Sequence, residues 1–321
     1  MITRRNLLLS TPGLLAAPRL RAQSGPPPVP VRKLNQLTLT VSDLRRSVEF
    51  YQELFGMPVQ ARRPGTVLLK IGAGPQFMAL TERGANGKTA ISSYGMSVED
   101  FKADQVMKML AEHGVTNARM EIRGPTAELF LSDPDGIVIQ LQDTTYCGCA
   151  GVLGNQCPAA EPARSRGIMA IRDLSHFTLS SANPQRSRDF YQKVFGMTVL
   201  AYQGPTAPAL GVGSTRQFVM AAGGGGNSSP GIGHGCFTME RFERETVLKA
   251  LADYGIKPRG DATGPAKPLV SYVSMRMENR GGAKEGTAEL YFTDPDGILL
   301  QLQDVSYCGG AGLLGEMCPG K

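Results

Sequence analysis

The chain has 321 residues, a length that predicts about two domains, and its 34 Lys and Arg against 28 Asp and Glu give a formal net charge of +6. Four arginines lie in the first 22 residues, which hold no acid, so the rest carries about +2 without the clustered basic surface of a nucleic-acid-binding protein. With 41% apolar residues and no run of 18 uncharged apolar ones, the chain predicts neither long disorder nor a membrane span.

The N-terminal segment, residues 1–22, has the composition of an export signal. Arg4 and Arg5 precede an apolar stretch that runs to Ala17, and the segment ends at Ala22. Paired arginines before a modest apolar run resemble a twin-arginine signal. We therefore expect cleavage after Ala22 and a periplasmic or secreted protein; the alternative is an amphipathic helix that stays attached. Residues 23–31 are rich in proline and are predicted to form a stiff linker.

Residues 32–146 are predicted to form the first domain. Apolar residues alternate with polar ones over Leu34–Val41, which indicates a strand with one apolar face. An apolar stripe with a period of three to four predicts a helix over residues 44–55, and three short strands follow it. The scheme then repeats, with a strand at Ile91–Val98, a helix at Glu99–Glu112 and more strands that end at Ile137–Gln142. The domain therefore consists of two βαβββ units.

The second half of the chain repeats the first. Phe-Tyr-Gln-Glu-Leu-Phe-Gly-Met at 50–57 recurs as Phe-Tyr-Gln-Lys-Val-Phe-Gly-Met at 190–197, and the segment 127–136 recurs at 288–297. Internal similarity of this kind indicates a duplicated structural unit. We predict a second domain at residues 171–307, joined to the first by a linker at 147–170 and followed by a tail at 308–321, so that the chain holds four βαβββ units.

Each domain is followed by a glycine-rich tail with two cysteines ten residues apart. The first tail holds Cys147, Cys149 and Cys157, and the second holds Cys308 and Cys318. Loops of this length in an exported protein predict short disulfides. We expect Cys308–Cys318 in the second tail and a bond from Cys157 to either Cys147 or Cys149 in the first. A cysteine-rich zinc site is the alternative, although neither tail contains a histidine.

The motifs resemble those of a known family. Val41-Ser42-Asp43-Leu44, Phe50-Tyr51 and Phe55-Gly56 near the start, with Asp133-Pro134-Asp135-Gly136 near the end, resemble the vicinal oxygen chelate (VOC) superfamily of glyoxalase I, bleomycin-resistance proteins and type I extradiol dioxygenases. The resemblance covers residues 32–307. It implies an α+β fold of two tandem VOC domains, whose four βαβββ modules form two open cup-shaped mixed sheets with helices outside. Four modules look most like the extradiol dioxygenases, in which the first domain is usually vestigial.

The resemblance also implies where metal ligands lie, namely at the start of the first strand of each module and on the last strand. In the second domain these positions hold His176, His234 and Gln301, and in the first domain Gln36, Ser93 and Gln140. Strand alternation places the second-domain residues on polar faces. Two imidazoles and an oxygen donor suit a divalent metal such as Fe(II), Mn(II), Zn(II) or Cu(II), whereas the first-domain set supplies no imidazole.

Two features depart from the family pattern. The third ligand is normally glutamate but here is Gln301, a neutral and weaker donor. The extra acid–base histidine of extradiol enzymes has no counterpart near Gln217–Met220. Tyr291 matches the tyrosine that precedes the third ligand, and it is a candidate proton donor. Glu128 and Glu289 recur in register, and we interpret both as carboxylates at the sheet surface.

Two functions follow from the resemblance. The first is an exported, metal-dependent enzyme, dioxygenase-like or a glyoxalase-like lyase, whose small substrate chelates a metal in the second domain through two vicinal oxygens, as a catechol or diol would. The alternative is a non-catalytic small-molecule-binding protein of the bleomycin-resistance kind, with no metal required. Both stay open on the sequence alone, as do the substrate and the oligomeric state.

Overall fold

The computed structural model describes residue 25 and residues 27–223, 229–260 and 267–319. The predicted export signal at residues 1–22 lies outside the described residues. Within the described part of the chain, no helix has both the length and the apolar character needed to span a membrane.

The first domain forms one mixed sheet of eight strands with two helices. The elements are β1 (Val31–Val41), α1 (Leu44–Phe55), β2 (Val59–Arg63), β3 (Thr66–Lys70), β4 (Phe77–Glu82), β5 (Ala90–Val98), α2 (Ala103–Glu112), β6 (Arg119–Arg123), β7 (Thr126–Ser132) and β8 (Val138–Asp143). Their order in the sheet is β2-β3-β4-β1-β5-β8-β7-β6. Each βαβββ unit thus supplies four consecutive strands, and the units join where β1 pairs antiparallel with β5.

The second domain repeats this arrangement with nine strands. Its elements are β9 (Asp173–Ser181), α3 (Pro184–Phe195), β10 (Val199–Tyr202), β11 (Pro208–Gly211), β12 (Phe218–Gly223), β13 (Gly231–Met239), α4 (Arg244–Tyr254), β14 (Lys257–Pro258), β15 (Val270–Arg276), β16 (Thr287–Thr293) and β17 (Leu299–Asp304), with a 3₁₀ turn at Glu278–Arg280. The strand order is β10-β11-β12-β9-β13-β17-β16-β15-β14. The predicted α+β fold of two duplicated mixed sheets is therefore confirmed.

The helix ends show how the sequence sets the elements. Helix α1 occupies the predicted residues 44–55, because the Asp43 carboxylate accepts a hydrogen bond from the Arg46 backbone N–H and Gly56 ends the helix at a positive φ of 65°. Helix α2 is shorter than predicted. It begins at Ala103 rather than Glu99, because Asp100 takes a positive φ of 48° and breaks the helical path before it starts.

The apolar faces of the two sheets share one hydrophobic core. Phe55 at the end of α1 contacts Phe237 of the second sheet, with ring centroids 6.1 Å apart, and Tyr94 of β5 stacks on Phe177 of β9 at 4.8 Å. All four side chains are buried in the same cluster. The opposite, polar faces of the sheets are therefore the ones left to form sites.

The repeated sequence motifs meet across the domain boundary. The Tyr51 hydroxyl of α1 donates to Asp294 in the Asp-Pro-Asp-Gly turn of the second domain, at 3.0 Å, and the Tyr191 hydroxyl of α3 donates to Asp133 in the first domain, at 2.9 Å. All four residues are buried. Loss of solvation raises the pKa of Asp294 to about 6 and also raises the pKa of Asp133, and the hydrogen bond from each tyrosine acts in the opposite direction. The motifs thus hold the two domains against each other.

We expect Tyr51→Phe to lower the free energy of unfolding by about 1–2 kcal/mol, because the buried Asp294 loses a donor while the ring stays in place. Tyr191→Phe should cost a similar amount at Asp133. Urea unfolding at pH 7 measures both. The control is Tyr202→Phe, since Tyr202 is 48% exposed; losses no larger than in that variant would show that the two contacts do not stabilise the domain interface.

Candidate metal centre

The second sheet brings His176, His234 and Gln301 together on its polar, concave face. Strand β13 pairs antiparallel with β9 and parallel with β17, and in that register Cys236 lies beside both His176 and Gln301. The ring centroids of the two histidines are 5.5 Å apart. All three side chains are buried, with exposed fractions of 2%, 9% and 1%. Three separate strands therefore supply one compact group of donors.

Aromatic rings surround this group. The His176 ring lies parallel to Phe218 with centroids 4.3 Å apart, and the Tyr307 ring is 5.4 Å away. The rings of His234 and Tyr291 meet edge to face, with their centroids 5.2 Å apart. The Ser175 hydroxyl lies 3.1 Å from His176 Nδ1. Both imidazoles are thus held in fixed orientations within an aromatic wall.

Burial keeps both imidazoles neutral. Loss of solvation, followed by repulsion from His234, lowers the pKa of His176 well below its usual range, although the Gln301 amide acts in the opposite direction. Loss of solvation likewise lowers the pKa of His234 to about 4, although Glu289 and Gln301 favour its charged form. A neutral imidazole has a ring nitrogen lone pair, which is the form that binds metals.

Several buried polar atoms of the group have no protein partner. Among the described residues, none forms a hydrogen bond of good geometry with His234 Nε2 or with the amide oxygen and nitrogen of Gln301. Leaving such a group unsatisfied costs about 1–3 kcal/mol. A divalent cation would accept the lone pairs of the ring nitrogen and the amide oxygen. The donors present therefore fit the metal that the resemblance implies.

The matching positions of the first domain satisfy each other instead. The Gln36 amide donates to the Gln140 oxygen at 2.7 Å, and the Gln140 amide donates to the Tyr146 hydroxyl at 3.3 Å. Ser93 is also buried and supplies only a hydroxyl. Within the described part of this domain no imidazole joins them, because His113 lies at the end of α2 and contacts the Pro27 carbonyl.

The interpretation of Glu128 and Glu289 as surface carboxylates is wrong. Both are buried, at 7% and 5% exposed. Glu289 accepts hydrogen bonds from Arg276 Nε at 2.7 Å, from the Tyr307 hydroxyl at 3.1 Å and from the Tyr291 hydroxyl at 3.2 Å. Arg276 is itself fully buried. The charge of Glu289 favours the protonated form of His234, although burial lowers the pKa of that imidazole overall. Glu289 therefore belongs to the site, and the sequence analysis did not include it.

The chain after each domain explains this burial. Tyr307 and the disulfide-bonded pair Cys308–Cys318 pack with Phe218 and Met220 on the concave face. Gln203 donates to the Tyr307 hydroxyl at 3.0 Å, and Arg276 Nη2 donates to the Gly310 carbonyl at 2.9 Å. The second tail therefore packs on the sheet face that carries the candidate ligands. The sequence indicates a shared role for these tyrosines, since Tyr146 and Tyr307 each follow the recurring glutamate by 18 residues.

Tyr291, the candidate proton donor, lies beside His234. Burial, followed by the charge of Glu289, raises the pKa of its hydroxyl well above the usual range. The hydroxyl therefore stays protonated at neutral pH, and it donates a hydrogen bond to Glu289. Cys236 is fully buried among the same strands.

A cavity of about 490 Å³ adjoins the group at the junction of the domains. Its lining includes Lys33 from the first domain and Ser175, Arg216, Gln217 and Tyr307 from the second. Ser175 and Tyr307 both contact His176. The cavity therefore reaches the wall of the candidate site, and its volume falls within the range of small-molecule pockets.

Comparison with known proteins places these features in a family. The sequence model of the glyoxalase/bleomycin resistance protein/dioxygenase superfamily matches residues 33–141 and 173–302. The glutathione transferase FosA of Serratia marcescens is 29% identical over 117 residues, which are 35% of this chain and 80% of that protein.

Solved structures with the same fold include enzymes of two kinds. The Mn(II)-bound glyoxalase from Novosphingobium aromaticivorans aligns with a TM-score of 0.61 at 16% identity, covering 85% of this chain and 82% of that one. A catechol 2,3-dioxygenase aligns with a TM-score of 0.61 at 15% identity, covering 88% of each chain. A variant of homoprotocatechuate 2,3-dioxygenase from Brevibacterium fuscum aligns with a TM-score of 0.59 at 19% identity, covering 87% of this chain and 73% of that one. At these identities the likeness concerns the fold alone.

The buried ion pair gives a stability prediction. Arg276→Met should lower the free energy of unfolding by about 3–5 kcal/mol, because Glu289 would stay buried without its cation. Arg276→Met combined with Glu289→Leu should cost less than the single change. Lys249→Met, which breaks an exposed helix pair with Asp253, is the control and should cost under about 1 kcal/mol. A double variant as unstable as the single one would contradict this account of the pair.

The lowered pKa of His234 predicts a loss of stability in acid. Between pH 6.5 and 4, His234 binds a proton in the unfolded chain, where its pKa is 6.5, but not in the folded protein, where its pKa is about 4. Metal-free protein should therefore lose on the order of 3 kcal/mol from this group as the pH falls from 6.5 to 4. Asp294, with its raised pKa, acts in the opposite direction, so the comparison is with His234→Gln. Equal pH slopes of unfolding free energy in the two proteins would refute the assignment.

Proposed function

The chain belongs to the glyoxalase/bleomycin resistance protein/dioxygenase superfamily, and we propose that its second domain binds a divalent metal through His176, His234 and Gln301 and acts on a small molecule with two adjacent oxygen atoms. One observation carries the proposal. Three metal-type donors from separate strands converge in a buried place, and neither His234 Nε2 nor the Gln301 amide forms a hydrogen bond of good geometry with a described residue, although the amide lies near enough to both rings to favour their protonated forms.

The donor set favours a particular chemistry. Two neutral imidazoles and a neutral amide would leave the full +2 charge on Fe(II), Mn(II), Zn(II) or Cu(II). Such a site prefers anionic oxygen ligands in its open positions, as an ionised catechol or diol provides. When bound, the ion would supply Lewis acidity and a template for both oxygens. Solved structures with this fold include a glyoxalase with bound Mn(II) and a catechol 2,3-dioxygenase, so the fold can hold a divalent metal and accept a catechol.

The surrounding residues have defined tasks in this proposal. Tyr291 keeps its hydroxyl proton and lies against His234, so it can donate a proton to a ligand in the site once its O–H turns away from Glu289. Glu289 accepts that hydroxyl at 3.2 Å and orients it. Phe218 and Tyr307 exclude water on the side of His176, which strengthens electrostatic interactions inside the site.

We further propose that the protein is exported, and that a substrate reaches the site from the cavity beside Ser175 and Tyr307. The disulfide in the second tail supports export, since such bonds persist in oxidising compartments. The cavity lining carries the cations Lys33, Arg172 and Arg216 and the acids Asp173 and Glu240. Arg172 pairs with Glu240, so the lining offers both charge signs to a polar ligand.

A non-catalytic binding protein is the second candidate. Two observations favour it. Phe218 stacks on His176 in the neighbourhood where extradiol enzymes carry a further histidine, and the second tail lies across the concave face. Oxygen uptake by metal-loaded protein with catechol distinguishes a dioxygenase from a binding protein, because only the dioxygenase consumes oxygen.

Metal titration of the full-length, chelator-treated protein tests the site. We expect one Mn(II) or Zn(II) per chain by calorimetry, and affinity losses of at least about a hundredfold in His176→Ala and His234→Ala. Gln301→Glu should tighten binding by roughly tenfold, because a carboxylate replaces a neutral amide beside the dication.

The matched control is Gln140→Glu, which makes the same change at the equivalent strand position of the first domain, where Gln36 is the neighbour. It should leave the affinity unchanged. Circular dichroism checks that each variant folds. Unchanged binding in both alanine variants, or equal effects of the two glutamate changes, would reject the site.

A further inference from the structure

The tail of the first domain contains three cysteines in one cluster. The sulfur atoms of Cys147, Cys149 and Cys157 all lie within 4.8 Å of one another. Cys157 has the capacity for only one disulfide, yet the Cα atoms of both Cys147 and Cys149 lie close enough to that of Cys157 for a bond. The cluster lies on the opposite domain from the candidate metal centre and has no part in the function proposed above.

The backbone explains why both cysteines reach Cys157. The N–H groups of Cys147 and Cys149 both donate to the Gly154 carbonyl, at 3.1 and 3.2 Å, so one turn presents both side chains to the returning chain. The Cα atoms of Cys147 and Cys157 are 6.3 Å apart, and those of Cys149 and Cys157 are 5.1 Å apart. Both separations fall within the range of about 4.4–6.8 Å that a disulfide requires. Either bond is therefore compatible with the same backbone.

The second tail has the same turn without the third sulfur. The N–H groups of Cys308 and Gly310 both donate to the Gly315 carbonyl, as their counterparts do in the first tail. A Cβ atom on Gly310 would overlap the Met317 carbonyl and lie 2.8 Å from Cys318 Sγ. The second tail therefore holds a single Cys308–Cys318 bond, whereas the first tail accommodates a side chain at Cys149.

We propose that the first tail is a thiol–disulfide exchange site, in which Cys157 transfers its disulfide between Cys147 and Cys149. In the forward step the Cys149 thiolate attacks Cys157 Sγ. The Cys149–Cys157 bond forms, the Cys147–Cys157 bond breaks, and its electron pair leaves with Cys147 as a thiolate, which takes up a proton. The reverse step restores the first bond. One disulfide and one thiol are present before and after each step, so no oxidant or reductant is consumed.

The exchange changes which thiol the protein presents. Cys147 is 7% exposed, and its sulfur lies 3.5 Å from the Gly154 carbonyl. Cys149 is partly exposed at the edge of the tail. The isomer with the Cys147–Cys157 bond therefore leaves the accessible Cys149 thiol free to react with a small disulfide or alkylating reagent. The isomer with the Cys149–Cys157 bond leaves the buried Cys147 thiol free instead.

Alkylation of the native full-length protein, purified without reductant, tests the exchange. An acid quench followed by rapid N-ethylmaleimide labelling traps the thiols, and fragmentation mass spectrometry distinguishes label on Cys147 from label on Cys149. We expect both, with the minor isomer no less than about a tenth of the total. Slow native labelling with iodoacetamide should then drive the whole population to modified Cys149 with a Cys147–Cys157 bond, because exchange replenishes the accessible thiol.

Cys149→Gly is the matched control, because it gives the first tail the residue that the second tail has. Its tail should retain the Cys147–Cys157 bond and take up no label. In the native sample, iodoacetamide labelling that stops at a fraction of the population would show two static isomers. In the acid-quenched sample, N-ethylmaleimide on one cysteine alone would show a fixed bond. Both results reject the exchange. Three free thiols with a stoichiometric metal would also reject it, in favour of a thiolate metal site.

Discussion

Burial of polar donors without protein partners is the constraint on which the second domain depends. The site places His176, His234 and Gln301 in an environment that lowers the pKa of both imidazoles and gives the Gln301 amide no partner of good geometry among the described residues. Such an arrangement persists only if the surrounding sheet holds it, or if a ligand offsets the cost. The buried Glu289–Arg276 pair and the second tail pack against this group of donors, so water does not solvate them.

The duplication makes this constraint visible, because the same scaffold solves it twice in different ways. In the first domain Gln36 and Gln140 bond to each other, and Tyr146 completes the pair. In the second domain histidine replaces the first of these glutamines, and Gln301 faces two imidazoles without a hydrogen bond of good geometry to a described residue. Both domains keep a tyrosine and an arginine on the recurring glutamate: Tyr146 and Arg123 contact Glu128 in the first domain, as Tyr307 and Arg276 contact Glu289 in the second. The difference between the domains therefore lies in the donors themselves and not in the fold.

The fold could be predicted from the sequence because its signals are local and repeated. Helix α1 lies at the predicted residues, and the duplicated motifs define two equivalent domains. Strand alternation also placed the three candidate ligands on one face. The burial of Glu289 could not be predicted this way, because it results from Tyr307 folding back over a sheet face that alternation alone marks as polar. The partners of Tyr51 and Tyr191 were hidden for a similar reason, since each contact joins segments more than 50 residues apart.

Electron spin-echo spectroscopy of the Cu(II)-loaded, full-length protein tests the central claim most directly, because it detects imidazole nitrogens around the ion. The account predicts a coordination sphere with two histidine nitrogens, reduced to one in His234→Gln and in His176→Gln alike. His113→Gln, which changes the remaining histidine of the chain, should leave the spectrum unchanged. A spectrum with no imidazole coupling, or one that both site variants leave intact, would contradict a metal centre in the second domain.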